Sequence, residues 1–304
     1  MCPRFARLSR QLPFRLTALF FVTLLFLMTA ALSARAAEPP PFWTRWTAHA
    51  ADSKLVIDHS GWTAFLQKYV STDSAGVNRV AYGRVSKEDR RALDDYVARL
   101  TLAPLATYPR SEQLAFWINL YNAVTLQTVL THYPVASIRD IDLSPGWFTK
   151  GPWEKKLVVV EGVPLSLDDI EHRILRPIWK DARLHYALNC ASVGCPNLRR
   201  EAYTGARADA MLTEAAKAYV NDPRGVSFAG DDLEVSSIYK WYVEDFGGNR
   251  WGILAHLRKY AAPDLHRRLG FAESIDAYRY DWSLNDDKAP PDANIASERK
   301  PSGH

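Results

Sequence analysis

The feature that most constrains this fold is a long segment that is apolar on nearly every side. Residues 110–134 read RSEQLAFWINLYNAVTLQTVLTHYP. Ser111 can cap the start of a helix there, and Pro134 lies just past its end. A helix without a polar face has to be surrounded by protein. We therefore predict a central, buried helix around which the rest of the chain packs.

Shorter patterns surround this segment in an irregular order. Helical spacing of apolar residues predicts helices in residues 61–70, 86–100, 166–175, 206–220, 237–248, 251–261 and 263–270. Hairpins are predicted in residues 156–167 and 226–236, and single strands in residues 76–85, 183–189 and 277–285. Strands and helices do not alternate regularly. We therefore predict a single α+β domain, with helices around a small, mainly antiparallel sheet.

The amino terminus has the pattern of a secretory signal peptide. A basic start is followed by a 17-residue apolar run and then by SARAA, where Ala34 and Ala36 suit a small-residue cleavage site. The alternative is an uncleaved anchor, since such a run is at the short limit for crossing a bilayer. We predict cleavage after Ala36, a periplasmic or secreted protein, and no stable membrane span in the mature chain.

The predicted domain boundaries follow from composition. Residues 1–36 are the signal, residues 37–59 a proline-rich lead-in, residues 60–285 the folded domain, and residues 286–304 a polar, disordered tail. The whole chain has 38 basic and 34 acidic residues, but five of the arginines lie in the signal. The mature chain is thus almost neutral and has no basic run, so we do not expect it to bind nucleic acid.

The central helix carries polar side chains along one face. At 100° per residue, Glu112, Asn119 and Asn122 lie on the same side, with small Ala115 between them. Amides and a carboxylate inside an apolar helix are costly unless they are hydrogen-bonded. Two interpretations are open: either the amides hold loop backbone in place, or they line a site.

The stretch LHYALNCASVGCPNL, residues 184–198, contains the two cysteines of the mature chain. His185 and Asn189 share one face of the predicted strand, and Cys190 follows at its end. A histidine beside a thiol can generate a thiolate, which an asparagine could help to orient. The short spacing to Cys195 equally suits a disulfide, and an oxidising compartment favours one. An inert reduced pair and half of a zinc site are the remaining alternatives.

Other matches to known motifs are incomplete. No phosphate loop, dinucleotide fingerprint or nucleophile elbow is present. Asp168, Asp169 and Glu171 are interpreted as the acidic first turn of a helix. His172 is interpreted as an ordinary surface histidine, because no second histidine completes a zinc helix. We accordingly predict neither a metal site nor a cofactor.

Five segments together resemble a known family. EQLAFWINLYNAVTL, LSLDDIEHRILR, LHYALNCASVGCPNL, SSIYKWYVEDFGG and YRYDWSLN occur in this order over residues 60–285. The chain is similar in them to the bacterial family of domain of unknown function 547. The family name implies no reaction. The resemblance does imply that the matching polar residues belong together: Glu112, Asn119, Asn122, His185, Asn189, Cys190, Cys195, Trp241 and Asp245.

Two functions are compatible with these residues. As an enzyme, the protein would use Cys190 as nucleophile, His185 as base and Asn119 or Asn122 as orienting group, on a peptide or cell-envelope amide. Glu112, Asn189, Trp241 and Asp245 would bind the substrate. Papain-like and transglutaminase-like enzymes also place a helix against a strand that carries the histidine, which is an analogy of fold. As a non-catalytic module, the protein would have a Cys190–Cys195 disulfide and would bind a small-molecule, peptide or protein partner.

Overall fold

The computed structural model describes residues 43–144 and 151–288, together with the backbone of residues 295–299. The predicted signal peptide, residues 1–36, lies outside these residues. The α-helices are Ser60–Tyr69 (α1), Lys87–Thr101 (α2), Arg110–His132 (α3), Arg176–Trp179 (α4), Ala208–Val220 (α5), Ile238–Trp241 (α6), Arg250–Tyr260 (α7) and Pro263–Phe271 (α8). Within the described residues, no helix is both long enough and apolar enough to cross a bilayer.

The strands form three small sheets. They are Val70–Thr72 (β1), Asn78–Val80 (β2), Val158–Val160 (β3), Val163–Leu165 (β4), Val226–Ala229 (β5), Asp232–Ser236 (β6), Ala277–Asp281 (β7) and Ile295–Arg299 (β8). β1 pairs with β2 and β3 with β4, and the third sheet has the order β5-β6-β7-β8. Only β6 and β7 run parallel among these pairs. The predicted α+β class with a mainly antiparallel sheet is confirmed.

The central helix is confirmed, with a different start. Every side chain from Glu112 to Leu126 in α3 is buried. The helix begins at Arg110, one residue before the predicted cap Ser111, and Pro109 precedes it. It ends at His132, because Pro134 cannot donate to the helix and disfavours a helical conformation of the residue before it. Helices α2 and α5 and the segment Asp169–Leu175 pack against it, which explains why its sequence lacks a polar face.

Local capping and turn chemistry account for several neighbouring elements. The hydroxyl of Ser86 accepts a hydrogen bond from the backbone N–H of Asp89 at the start of α2. The hairpin β3–β4 turns at Glu161 and Gly162, which both have positive φ, as a two-residue turn of this kind requires. The N–H of Asp169 donates to the Ser166 hydroxyl, and the N–H of Ser166 donates to the Asp169 carboxylate.

The helix that follows the cap formed by Ser166 and Asp169 is not a regular α-helix. Asp169–Leu175 forms a π-helical turn that continues into α4. Insertions of this kind occur in helices at functional sites. The wider turn changes the direction in which the side chains after Asp168 project. The sequence prediction of a regular helix here is therefore correct in position and wrong in geometry.

The predicted strand over residues 183–189 is wrong. Ala182–Tyr186 is a 3₁₀-helix, capped by the Asp181 carboxylate, which accepts from the N–H of Arg183. The alternation of Leu184, Tyr186 and Leu188 misled the prediction because residues 184–189 are buried on all sides. A period of two predicts a strand only when one face is solvated.

The chain after β7 remains paired with other parts of the fold. Leu284 forms an isolated bridge with Ser192, and Asp286 forms one with Val80. The backbone of residues 295–299 pairs with β7 as β8, within the segment that the sequence predicts to be a disordered tail. Without β8, one edge of β7 would expose unpaired backbone groups, so this pairing has a physical reason.

Candidate functional site

A cleft of about 420 Å³ lies where the central helix, the π-helical turn, the 3₁₀-helix and the end of β7 meet. His185, Cys190, Cys195 and Trp241, all predicted from the sequence, line it. Tyr121 reaches it from α3, and Asp168, Glu171 and His172 reach it from the π-helical turn and the residue before it. The cleft is thus built from segments that are distant in sequence.

His185 is the most firmly held polar group in the cleft. Its Nε2 lies 2.7 Å from Oδ2 of Asp245, and its Nδ1 lies 3.6 Å from Oε1 of Glu171. Its ring stacks on Tyr242 with 3.9 Å between the ring centroids. A histidine oriented by a carboxylate in this way is suited to accept a proton or a ligand's hydrogen bond at its second nitrogen.

Asp245 links His185 to a cation. Its Oδ2 also accepts from Nε of Arg176, at 2.6 Å. Burial acts to raise the pKa of Asp245, but the hydrogen bonds from His185 and Arg176 outweigh it and hold that pKa well below its usual range. Asp245 is therefore ionised at every physiological pH and fixes the orientation of the imidazole. The sequence predicts that Asp245 contacts the ligand directly; in the structure it positions the imidazole of His185.

Three of the other polar lining residues are acidic. Glu154, Asp168 and Glu171 border the cleft, and none of its described lining residues is Lys or Arg. Burial raises the pKa of Asp168 to about 6; the nearby carboxylates of Glu171 and Glu154 raise it further, against the opposing effect of His172. Three carboxylates thus border the cleft without a Lys or Arg among its described lining residues, and Arg176, outside the lining, is bound to Asp245.

Aromatic rings form the opposite wall. Trp241 and Trp282 stack with centroids 5.5 Å apart, and Tyr280 lies 4.8 Å from the first and 4.6 Å from the second. Trp153 meets Trp282 edge to face at 5.8 Å. Trp241 remains 44% exposed, although a ring of this size is normally buried. The wall thus offers open π faces to whatever enters.

Cys190 and Cys195 are joined by a disulfide at the base of the cleft. This bears out the disulfide interpretation of the cysteine pair and leaves Cys190 without the free thiol that the catalytic interpretation needs. The hydroxyl of Tyr280 donates to Sγ of Cys195 at 3.1 Å, and the backbone N–H of Cys190 donates to the same sulfur at 3.0 Å. The sulfurs are therefore part of a hydrogen-bonded network.

The asparagines of the central helix hold backbone and do not line the cleft. Nδ2 of Asn122 donates to the carbonyl of Ala187, and its Oδ1 accepts from the N–H of Asn189. Asn119 makes the equivalent pair of hydrogen bonds with the backbone of Tyr203. Both side chains are buried with their amide groups occupied, so neither is available as an orienting group or an oxyanion donor.

Two further predicted binding residues also have structural roles. The Oε2 of Glu112 accepts from the N–H of Ile57, and Gly205 packs so close to this carboxyl that a Cβ there would lie 2.2 Å from Oε1. The Asn189 side chain spans its own loop, donating to the carbonyl of Pro196 and accepting from the N–H of Ala191. The structure therefore gives neither residue a place among those that line the cleft.

The sequence analysis missed most of the residues that line the cleft. Asp168, Glu171 and His172 were interpreted as ordinary helix and surface residues, yet they face the cleft. The π-helical turn that directs them is not readable from periodicity. Tyr280 and Trp282 carried a readable signal, because they lie in one of the five family-like segments, YRYDWSLN. No group of three or more His, Cys, Asp or Glu side chains within the described residues is arranged to hold a metal ion.

One family of known proteins is similar to part of this chain. Residues 105–220 match the family described as protein of unknown function, DUF547. This confirms the resemblance over the central helix, the π-helical turn and the disulfide loop. No curated protein and no solved structure matches the chain. The analogy with papain-like or transglutaminase-like enzymes is therefore not supported by any matching structure. It also requires a strand at His185, and this residue lies in a 3₁₀-helix.

Proposed function

We propose, for a chain whose residues 105–220 belong to the DUF547 family, that the cleft beside His185 binds a small organic cation. The protein would then be a disulfide-stapled ligand-binding module. The observation that carries this proposal is the combination of three carboxylates with an aromatic wall and no described Lys or Arg in the lining.

The charge balance supports a cationic ligand. Asp168, with its pKa raised to about 6 by burial and by its acidic neighbours, marks a place where negative charge is crowded. An ammonium or guanidinium group entering the cleft would relieve this repulsion. A carboxylate or phosphate would increase it. The cleft therefore discriminates between ligands by the sign of their charge.

The aromatic wall supports the same ligand class. A cation within about 6 Å of a Trp or Tyr ring centroid gains about 0.5–2 kcal/mol, more when water is excluded. Arg139 and Arg176 already lie over Trp282 and Tyr242, at 5.1 and 5.0 Å from the ring centroids. These intramolecular contacts support the proposal, because they place cations over two rings of this region. Trp241 and Tyr280 complete the wall on which a ligand would rest.

Hydrolysis is the second candidate function. The 2.7 Å contact between His185 and Asp245 favours it, because it leaves Nδ1 of an oriented imidazole as a possible general base. Cys190 would serve as nucleophile on a peptide or envelope amide after reduction of its disulfide. The ligand-binding role is preferred because it needs no change in the observed bonding of Cys190.

The test of the proposal compares ligands of one shape and different charge. Calorimetric titration with benzylammonium, benzyl alcohol and benzoate should give at least a tenfold tighter Kd for the cation than for the alcohol, and no detectable benzoate binding. Glu171→Gln should weaken benzylammonium binding about tenfold, which is about 1.4 kcal/mol. Glu244→Gln is the matched control, since Glu244 is exposed and is not among the lining residues. Equal affinities for the three compounds would refute cation binding.

We also propose that the protein acts outside the cytoplasm. The support is the signal-like pattern of residues 1–36 and a disulfide that an oxidising compartment would maintain. Intact-mass measurement of the native protein should show a mature amino terminus at Ala37. A protein that keeps residues 1–36 and fractionates with membranes would contradict export in cleaved form.

A further inference from the structure

The two sulfurs of the Cys190–Cys195 bond have unequal surroundings. Both border the cleft, but Cys190 is partly exposed whereas Cys195 is only 3% exposed. A molecule in the cleft can therefore reach Sγ of Cys190 more readily than Sγ of Cys195. Disulfide exchange depends on which sulfur is accessible to an incoming thiolate.

A backbone hydrogen bond favours the same direction of reaction, because the N–H of Cys190 donates to Sγ of Cys195 at 3.0 Å. The Tyr280 hydroxyl lies 3.1 Å from Sγ of Cys195 and 3.0 Å from Sγ of Cys190, so it can donate to whichever sulfur becomes charged. The Ser192 hydroxyl lies 3.2 Å from Sγ of Cys190. The hydroxyl oxygens of Ser192 and Tyr280 lie 2.9 Å apart, so Ser192 can donate to Tyr280 while Tyr280 donates to the sulfur. A disulfide sulfur gains little from two donors. A thiolate gains much more, because hydrogen bonds to a charged acceptor are about twice as strong.

From this asymmetry we infer that the Cys190–Cys195 disulfide is a thiol–disulfide exchange site, at which a small thiol in the cleft attacks Cys190 and Cys195 leaves. The buried phenol of Tyr280 keeps its proton, since burial holds its pKa above the ordinary value. It thus keeps a proton that it can donate to Sγ of Cys195 once that sulfur leaves as a thiolate. A disulfide that serves as a structural staple alone has no need of such donors.

In the exchange step one sulfur–sulfur bond forms and one breaks. The thiolate of the small thiol, having lost its proton to water, forms a bond to Sγ of Cys190 as the bond between the two cysteine sulfurs breaks. The electron pair of the broken bond stays on Sγ of Cys195, which becomes a thiolate held by the two donors. The small thiol is oxidised to the disulfide level and Cys195 is reduced. A second thiol molecule attacking the mixed disulfide would release the oxidised small molecule and leave both cysteines reduced.

The charge of the cleft specifies the thiol further, and this part of the inference rests on the proposed function. The carboxylates of Asp168 and Glu171 line the same cavity as the two sulfurs. A thiol that carries an amine would be concentrated there, and a thiol that carries a carboxylate would be repelled. The reacting molecule is therefore expected to be an aminothiol or its disulfide.

The experiment uses three small thiols on the oxidised mature protein: 2-mercaptoethanol, cysteamine and 3-mercaptopropionate. Acid quenching and N-ethylmaleimide trap the products, and peptide mapping locates the adduct. We expect the adduct on Cys190 and the maleimide on Cys195. With rates expressed per thiolate, Tyr280→Phe should slow the reaction with 2-mercaptoethanol about tenfold, because a weaker leaving group departs more slowly. Tyr278→Phe, on the same strand, is the matched control.

The outcomes separate the two proposals. An adduct on Cys195, a rate no faster than in the denatured protein, or equal rates for the two tyrosine variants would overturn the exchange site. The thiolate of 2-mercaptoethanol carries no second charged group, and comparing the two tyrosine variants with this one thiol cancels the effect of the charge of the cleft. Cysteamine should react at least tenfold faster than 3-mercaptopropionate. Equal rates for these two thiols, with the attack still on Cys190, would overturn the aminothiol preference and cation binding while leaving the exchange site established.

Discussion

Replacing Asn122 with leucine should lower the free energy of unfolding by about 2–6 kcal/mol. The side chain is buried and satisfies two backbone groups, the carbonyl of Ala187 and the N–H of Asn189. Leucine is close to it in size but leaves both groups without a partner, and each unsatisfied buried group costs about 1–3 kcal/mol. Chemical denaturation followed by tryptophan fluorescence would measure the change.

Gln127→Leu supplies the matched control on the same helix. Its amide donates to Asp94 at an exposed position, where water can replace the lost bond. Its unfolding free energy should change by less than about 0.5 kcal/mol. A midpoint for Asn122→Leu that equals that of the wild-type protein would mean that water reaches the loop, and that the amide is not needed to hold it.

Acid should destabilise the protein through His59, by about 3 kcal/mol between pH 7 and pH 4. Burial lowers the pKa of His59 to about 4 from its ordinary value of 6.5, against the opposing charge of Asp58. Because the folded protein holds this ring neutral, its contribution to stability is complete above pH 6.5 and is lost as the pH falls toward 4. Each pKa unit corresponds to 1.36 kcal/mol.

The His59→Asn variant isolates this contribution. Asparagine cannot titrate, and its amide can replace Nδ1 in the 2.7 Å hydrogen bond with the Tyr96 hydroxyl. Asp168 acts in the opposite sense, since its raised pKa makes the folded protein gain stability as the pH falls through 6. That effect is common to both proteins and cancels in their difference. The stability difference between wild type and His59→Asn should thus move by about 3 kcal/mol in favour of the variant at pH 4.

Elements fixed by neighbouring residues were predictable from the sequence. The apolar pattern of residues 110–134, the cap at Ser86 and the turn at Glu161-Gly162 each rest on local chemistry, and all three occur in the structure. The 3₁₀-helix at Ala182–Tyr186 was not predictable in this way. Its alternating pattern reflects burial on every side, which depends on the surrounding elements and not on the segment itself.

The members of the cleft were predictable only in part. His185, Cys190 and Trp241 line the cleft, and Asp245 contacts His185. Asn119, for its part, proved to hold the backbone of Tyr203. Whether a buried amide faces a loop or a cavity is decided by contacts 60 to 90 residues away along the chain. A single sequence shows which side chains are unusual for their surroundings, and the tertiary fold decides which of them remain free to act.

The loop that carries the two sulfurs is anchored from three directions before any ligand arrives. Asn122 holds its start, and Arg224 donates to the carbonyls of Val193 and Cys195. The N–H groups of Gly194 and Val193 donate to carbonyls at the end of β7 and just after it. Such a loop is preorganised, so a molecule that enters the cleft has little local conformational entropy to remove. Binding here should accordingly resemble lock and key, with on-rates set by diffusion and charge and not by a slow closing motion.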